Sequence, residues 1–159
     1  MTRLRPLLLG VAFVFVLVGC ATSQTRAFLQ DLATVPKPWV TELEQVAFFP
    51  QEDHQCGPAA LATALHAAGV EINPAQLLEQ VYIPGREGSL QVEMLAATRR
   101  NGALPYLLKP ELRDLLAEVR AGMPVVVLQI LGLSWIPVVL YAVIVGYVLP
   151  HRHVVLRSC

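Results

Sequence analysis

A cysteine at the start of a helix is the feature of this sequence best suited to chemistry. Cys56 is followed by Gly57 and by Pro58, whose missing N–H leaves no hydrogen bond unmade in a first helical turn. Apolar residues then recur at helical spacing up to Gly69, which suits a helix C-cap. Unpaired N–H groups and the macrodipole at a helix N-terminus favour negative charge, and therefore a thiolate. Cys56 is thus a candidate nucleophile, and the alternative is a small buried cysteine without chemistry.

The residues around this cysteine resemble a known family. The string Gln51…Cys56-Gly57-Pro58-Ala59-Ala60-Leu61 is similar to the active site of the bacteriocin-processing (double-glycine leader) cysteine peptidases, a papain-like branch. The resemblance covers roughly residues 43–158 and implies an α+β papain-like fold, with N-terminal helices packed on a C-terminal antiparallel sheet. It also implies that Cys56 is the nucleophile and that Gln51 donates to the oxyanion, with Gln55 as second choice. In that family a histidine on a later strand is the base, and an Asp or Asn orients it.

The base and its orienting residue are missing from the places where the family has them. In relatives the histidine directly precedes an aromatic residue and a run of Ala and Val, and the matching segment here is Leu140-Tyr141-Ala142-Val143. Leu140 therefore stands at the histidine position. No Asp, Glu or Asn occurs after Glu118, so the orienting residue is missing as well. The resemblance implies either a peptide-hydrolysing domain with little activity or an inactive module that binds a peptide in the same cleft.

The four histidines are poor substitutes for the missing base. His66 follows Cys56 by ten helical residues, roughly 15 Å along the helix axis. His54 precedes the cysteine on the same turn, and His151 and His153 lie roughly 30 Å along an extended strand from the position of the missing histidine. All four are interpreted as surface residues. No Cys, His or carboxylate spacing indicates a metal site, and no cofactor is expected.

The N-terminal segment predicts export and a lipid anchor. Arg3 and Arg5 precede an uncharged apolar run that ends in Leu17-Val18-Gly19-Cys20. This ending resembles a bacterial lipobox, which implies cleavage before Cys20 and lipidation of that residue. Ala21 after it favours, by the same resemblance, the outer membrane with the domain facing the periplasm. The predicted segments are a signal peptide (1–19), a lipidated N-terminus and tether (20–42) and one peptidase-type domain (43–159).

Composition limits the partners. The chain of 159 residues is long enough for one domain with a substantial core. Its 12 basic and 12 acidic residues balance at a net charge of zero, so nothing indicates a nucleic-acid partner. The expected partners are a peptide or protein substrate and, through the lipid on Cys20, the membrane.

Helical patterns precede strand patterns along the chain. Asn73-Pro74 predicts the cap and first turn of a second helix, and Ser89 is predicted to cap a third. The remaining predicted elements are a strand over Ala103–Leu108, a helix over Pro110–Arg120, and β-branched strands over Pro124–Ile130, Val138–Val148 and Val154–Arg157. This order of elements is typical of an α+β architecture.

Two alternatives stay open. The stretch from Gly122 to Pro150 carries no charged residue and exceeds the ~20 apolar residues that a transmembrane helix needs. Its prolines, glycines and many valines favour strands instead. In an oxidising periplasm, Cys56 and Cys159 are also a candidate disulfide pair.

Overall fold

The computed structural model of the chain describes residues 30, 38–50, 55–133 and 136–158, with the backbone alone for 132, 133 and 136–138. The chain divides into two compact units, residues 1–35 and 36–159, and every element described below belongs to the second. The predicted signal peptide, the lipidation residue Cys20 and the oxyanion candidate Gln51 lie outside the described residues.

Helices precede most of the strands, so the fold is α+β as the sequence predicts. The α-helices of the described residues are α1 (Cys56–Ala67), α2 (Pro74–Val81), α3 (Gln91–Arg100) and α4 (Leu112–Arg120). The strands are β1 (Val40–Glu42), β2 (Tyr82–Ile83), β3 (Gly88–Ser89), β4 (Val125–Leu133), β5 (Ile136–Val148) and β6 (His153–Ser158). Single 3-10 turns at Pro84–Arg86 and Leu149–His151 connect β2 to β3 and β5 to β6.

Helix α1 is the central helix of the domain. Nine of its twelve residues are buried, and it contacts α2, α3, β3, β4 and β5. Its many alanines make this possible, because small side chains let neighbouring elements approach on several sides. Leu61 and Leu65 supply the larger buried groups, and burial of each leucine side chain stabilises the fold by about 1.5–3 kcal/mol. The helix ends just before Gly69, whose φ of +81° is a left-handed conformation that favours glycine.

The predicted start of α2 is confirmed. The Asn73 side chain accepts a hydrogen bond from the Gln76 backbone N–H, and the Gln76 side chain accepts one from the Asn73 N–H, both at 3.0 Å. This reciprocal pair is a capping box. Pro74 occupies the first turn, where it sacrifices no hydrogen bond.

Two local predictions are wrong. Ser89 does not cap α3: the residue before that helix is Leu90, and Ser89 belongs to β3, where it pairs with Tyr82. The predicted strand over Ala103–Leu108 is also absent, since these described residues have no strand pairing. Leu104 is 94% exposed and Tyr106 82%, so the apolar pattern there does not mark a buried strand.

One antiparallel sheet is built around β5. Ala142 of β5 pairs with Val127 of β4 and with Ser158 of β6, so these two strands flank β5 on opposite sides. Val148 pairs with Val40 of β1 and with His153 of β6. Strand β1 therefore lies on the same side of β5 as β4, next to the C-terminal end of β5. The sheet therefore includes residues 40–42, which come from the segment predicted as tether.

Strand β5 is buried along its second half. Every residue from Tyr141 to Tyr147 is buried, which explains why the sequence shows a continuous apolar run instead of an alternating one. Tyr141, Val143 and Val145 join the cluster that also contains Cys56 and Leu61 of α1. Strand β5 thus packs against the helix that carries the cysteine.

The uncharged stretch 122–150 forms strands β4 and β5, so the alternative of a helix over this stretch is wrong. No helix among the described residues has the length and apolarity needed to cross a membrane.

Candidate functional site

Cys56 is the first residue of α1, as the sequence predicts. The first turn of α1 contains no acidic residue that would offset the positive end of the helix dipole. The cysteine is only 9% exposed and is a free thiol. Cys159, its candidate disulfide partner, lies outside the described residues.

Strand β5 lies directly against the cysteine. The backbone N–H of Tyr141 donates to the Cys56 sulfur, with 3.5 Å between the nitrogen and Sγ. The two residues are 85 positions apart in the chain, so this contact fixes how the start of α1 sits on the sheet. An N–H aimed at sulfur stabilises negative charge there, in addition to the helix dipole.

Leu140 is the residue before this contact. It pairs with Gln129 on β4, is half-buried and packs against the buried cluster that contains Cys56. A hydrocarbon side chain neither accepts nor donates a proton. The β5 wall of the site is therefore apolar at the position where the resemblance implies a histidine.

The described histidines lie elsewhere. His66 occupies the last turn of α1, and its ring meets Phe49 edge-on with 6.1 Å between centroids. His151 and His153 are exposed at the connection between β5 and β6. Their end of β5, at Val148, lies eight residues after Leu140, roughly 26 Å along the strand. His54 is outside the described residues.

The two glutamine candidates differ in what the structure describes. Gln51 lies outside the described residues. Gln55 is half-buried and directly precedes α1, where its carbonyl accepts the Ala59 N–H at 3.3 Å. Its side chain does not cap the helix.

Tyr141 is no substitute for the missing base. Burial raises the pKa of its phenol above the usual value, and a negative charge on Cys56 raises it further. A phenol with a raised pKa keeps its proton at neutral pH, whereas a general base must lose it. Sequence reasoning missed Tyr141 because its contribution here is a backbone N–H, which no side-chain pattern reveals.

Ser89 is a second residue that sequence reasoning missed. Its hydroxyl is buried without a hydrogen-bond partner, and its side chain lies against Gly57, next to the cysteine. A Cβ at position 57 would lie 2.5 Å from Ser89 Cβ and closer still to Ser89 Oγ. Gly57 therefore allows the β2–β3 hairpin to approach the start of α1.

Replacing Gly57 by Ala is expected to destabilise the domain by about 1–3 kcal/mol, because the added methyl overlaps Ser89. The overlap outweighs the roughly 1 kcal/mol by which alanine is the better helix former. Ser89→Gly in the same chain should recover most of the loss, whereas Ser89→Ala should not, since it keeps the clashing Cβ. Urea unfolding of the double-mutant cycle measures the coupling. Equal stability of G57A and the unmodified chain would contradict this close approach.

The described residues contain no group of three or more His, Cys, Asp and Glu side chains that would hold a metal ion. Comparison with known proteins found no matching family, no matching characterised protein and no matching solved structure.

Alkylation distinguishes a prepared nucleophile from a merely buried thiol. We expect iodoacetamide at pH 7 to modify Cys56 in the folded chain faster than in the urea-unfolded chain, because Cys56 stands at the N-terminus of α1 and the Tyr141 N–H is directed at its sulfur. The 9% exposure should make a bulky maleimide slower than iodoacetamide at this site. Peptide mass mapping follows each cysteine separately. Slower alkylation by iodoacetamide in the folded chain would mean that Cys56 is a buried core residue and not a prepared nucleophile.

Proposed function

We propose that residues 43–158 form a papain-like domain of the cysteine-peptidase type, which holds an extended peptide in a cleft between the start of α1 and β5. The contact between Cys56 Sγ and the Tyr141 N–H carries this proposal. The resemblance separately assigns Cys56 to the nucleophile and the adjacent Leu140 to the base position, and a peptidase site needs these two positions side by side. The α+β order of elements supports the same assignment.

Peptide hydrolysis at this site would proceed through a thioester. The sulfur of Cys56 attacks the peptide carbonyl, and the oxyanion accepts hydrogen bonds from Gln51 or Gln55. The C–N bond then breaks, the leaving amine takes the proton from the thiol, and water hydrolyses the thioester to release the acid and the Cys56 thiol. A histidine normally carries that proton, and Leu140 cannot. Peptide binding does not need the proton transfer. We therefore propose a domain that retains peptide binding and has little or no hydrolytic activity, with a functional peptidase as the second candidate.

The envelope location is part of the proposal. The lipobox-like sequence supports a lipid on Cys20, which would anchor the domain at the outer membrane facing the periplasm. Expression in a Gram-negative host with an alkyne-labelled fatty acid tests the anchor. Incorporation should be lost in Cys20→Ala and kept in the matched variant Cys159→Ala. Labelling that survives Cys20→Ala would refute the anchor.

A peptide aldehyde tests the cleft. The probe is a library of extended peptides ending in a Gly-Gly aldehyde, because the resemblance is to peptidases that cleave after a double glycine. We expect a thiohemiacetal on Cys56, detected by native mass spectrometry as a mass increase equal to the mass of the aldehyde, and retained binding of the corresponding peptide amides by Cys56→Ala. Amides that bind neither the unmodified chain nor this variant would rule out the peptide cleft. Efficient hydrolysis of extended substrates would favour the second candidate.

A further inference from the structure

Strand β4 has a long free edge. Within the described residues it pairs with β5 alone, so its other edge presents unpaired backbone N–H and C=O groups. Natural edge strands are usually short, or carry charges or prolines that prevent pairing with another chain. The nine residues of β4 include no charge and no proline, and Gln129 is the only polar side chain among them.

The distal half of β4 belongs to a two-stranded arm. The pairs from Leu128–Tyr141 to Leu133–Ile136 extend beyond the point where β6 joins β5, which is the pair Ala142–Ser158. We call these residues, 128–133 and 136–141, the β4–β5 arm. Isolated two-stranded hairpins are marginal in water, and a third strand stabilises them. An added strand would therefore stabilise the described part of this arm.

Three apolar side chains on one face of the arm are exposed. Ile130 pairs with Val139, and Leu128 lies two positions from Ile130, so the three side chains share a face. Their exposed fractions are 73% for Ile130, 50% for Leu128 and 49% for Val139. Pairing along the β4 edge would cover part of this surface.

We propose that the β4 edge pairs antiparallel with β4 of a second copy of this chain, which joins the two sheets into one. A two-fold pairing places the strand against itself, so a charge on it would meet the same charge on the other copy. The absence of charge from Gly122 to Pro150 removes that repulsion. With the two-fold axis at Gln129, the two Gln129 amides face each other and hydrogen-bond. Leu128 then lies opposite Ile130 of the second copy, which brings apolar side chains together.

Photo-crosslinking of the full chain in detergent micelles tests this pairing. A benzoylphenylalanine at position 131, which would lie opposite residue 127 of the other copy, should yield a covalent product of twice the chain mass, cross-linked to residues 126–128 of that copy. Ile130→Lys places the lysines of the two copies near each other, and their repulsion should abolish the product. The matched variant Leu104→Lys changes a side chain that is 94% exposed and lies outside the sheet, and it should keep the product.

Several outcomes would overturn the proposal: no double-mass product, a cross-link to another segment, to lipid or to a different protein, or equal loss in both lysine variants. Circular dichroism confirms that each variant is folded. Sedimentation of the unlabelled chain gives an independent measurement, in which Ile130→Lys should shift the sedimenting species from dimer to monomer.

Discussion

The unmodified chain is expected to hydrolyse peptides at no more than a trace rate, and Leu140→His alone should raise that rate only slightly. Histidine at position 140 would restore a group able to accept the Cys56 proton, because the neighbouring Tyr141 N–H already touches the sulfur. The imidazole would still lack a partner that fixes its tautomer and orientation. Loss of the orienting carboxylate in a comparable triad costs about 10⁴ in turnover. A fluorogenic peptide with Gly-Gly before the scissile bond measures the rate.

The register of β6 indicates where an orienting group belongs. Ala142 pairs with Ser158, so Ser158 shares a face with Leu140 and is its diagonal neighbour across the two strands. Diagonal neighbours on a sheet are about 7–8 Å apart, a span that the longer side chains reach. The double variant Leu140→His, Ser158→Asp is therefore expected to exceed Leu140→His in turnover by at least about tenfold, a small part of the 10⁴ available.

Val139→His, Ser158→Asp is the matched control, because Val139 is 49% exposed, whereas Leu140 packs against the buried cluster that contains Cys56. It should show no gain in turnover. Adding Cys56→Ala to the active double variant should remove all hydrolysis. Robust cleavage by the unmodified chain that Cys56→Ala abolishes would contradict the first expectation, and would show that another group serves as the base.

The sequence predicts those elements whose local pattern and tertiary environment agree. Pro58 and the alanine spacing identify α1, and Asn73-Pro74 gives the start of α2 to the residue. The β-branched runs give β4 and β5, although β4 ends three residues later than Ile130 and β5 begins two residues earlier than Val138. In each case the residues favour the observed backbone conformation locally and also bury apolar surface against the core.

Predictions fail where pairing across the chain decides the structure. Strand β1 has no strong pattern of its own and forms because Thr41 pairs with Tyr147 on β5. Ser89 has a good capping side chain, but its pairing with Tyr82 and its contact with Gly57 remove it from the helix start. The segment 103–108 has strand-forming residues and no strand partner. Hydrogen bonding between distant strands is not encoded by spacing within either one.

The same distinction, between local pattern and contacts of distant segments, applies to the candidate site. Cys56 was identified as a candidate because residue type and spacing mark a helix start, and Leu140 because the segment that begins with it resembles the family's histidine segment. The position of the Tyr141 N–H beside the sulfur depends on how α1 lies on the sheet, and the close approach of Ser89 to Gly57 depends on the β2–β3 hairpin. Neither contact can be predicted from the local sequence pattern.

Gly146→Ala is expected to be the most destabilising single glycine replacement in the sheet. A Cβ at this position would lie 2.5 Å from the Thr41 carbonyl oxygen, 3.1 Å from Glu42 Cα and 3.3 Å from Val155 Cβ. The first two atoms belong to the backbone of β1, which pairs with β5 at this point. β5 also gains one residue relative to β6 between Ile144 and Gly146, so both neighbouring strands constrain it. Relief of the overlap requires β1 to separate from β5.

We therefore expect Gly146→Ala to lower the free energy of unfolding by about 3 kcal/mol, the upper end of the usual cost of overpacking, because backbone yields less readily than a side chain. Gly85→Ala is the matched control. No atom lies within 4 Å of a Cβ at position 85, and its φ is not in the left-handed region, so alanine there should leave stability unchanged or raise it by up to about 1 kcal/mol. Urea unfolding followed by circular dichroism measures both variants. Equal stabilities would mean that β1 does not approach β5 as closely as its pairing with Gly146 requires, and that residues 40–42 belong to the tether.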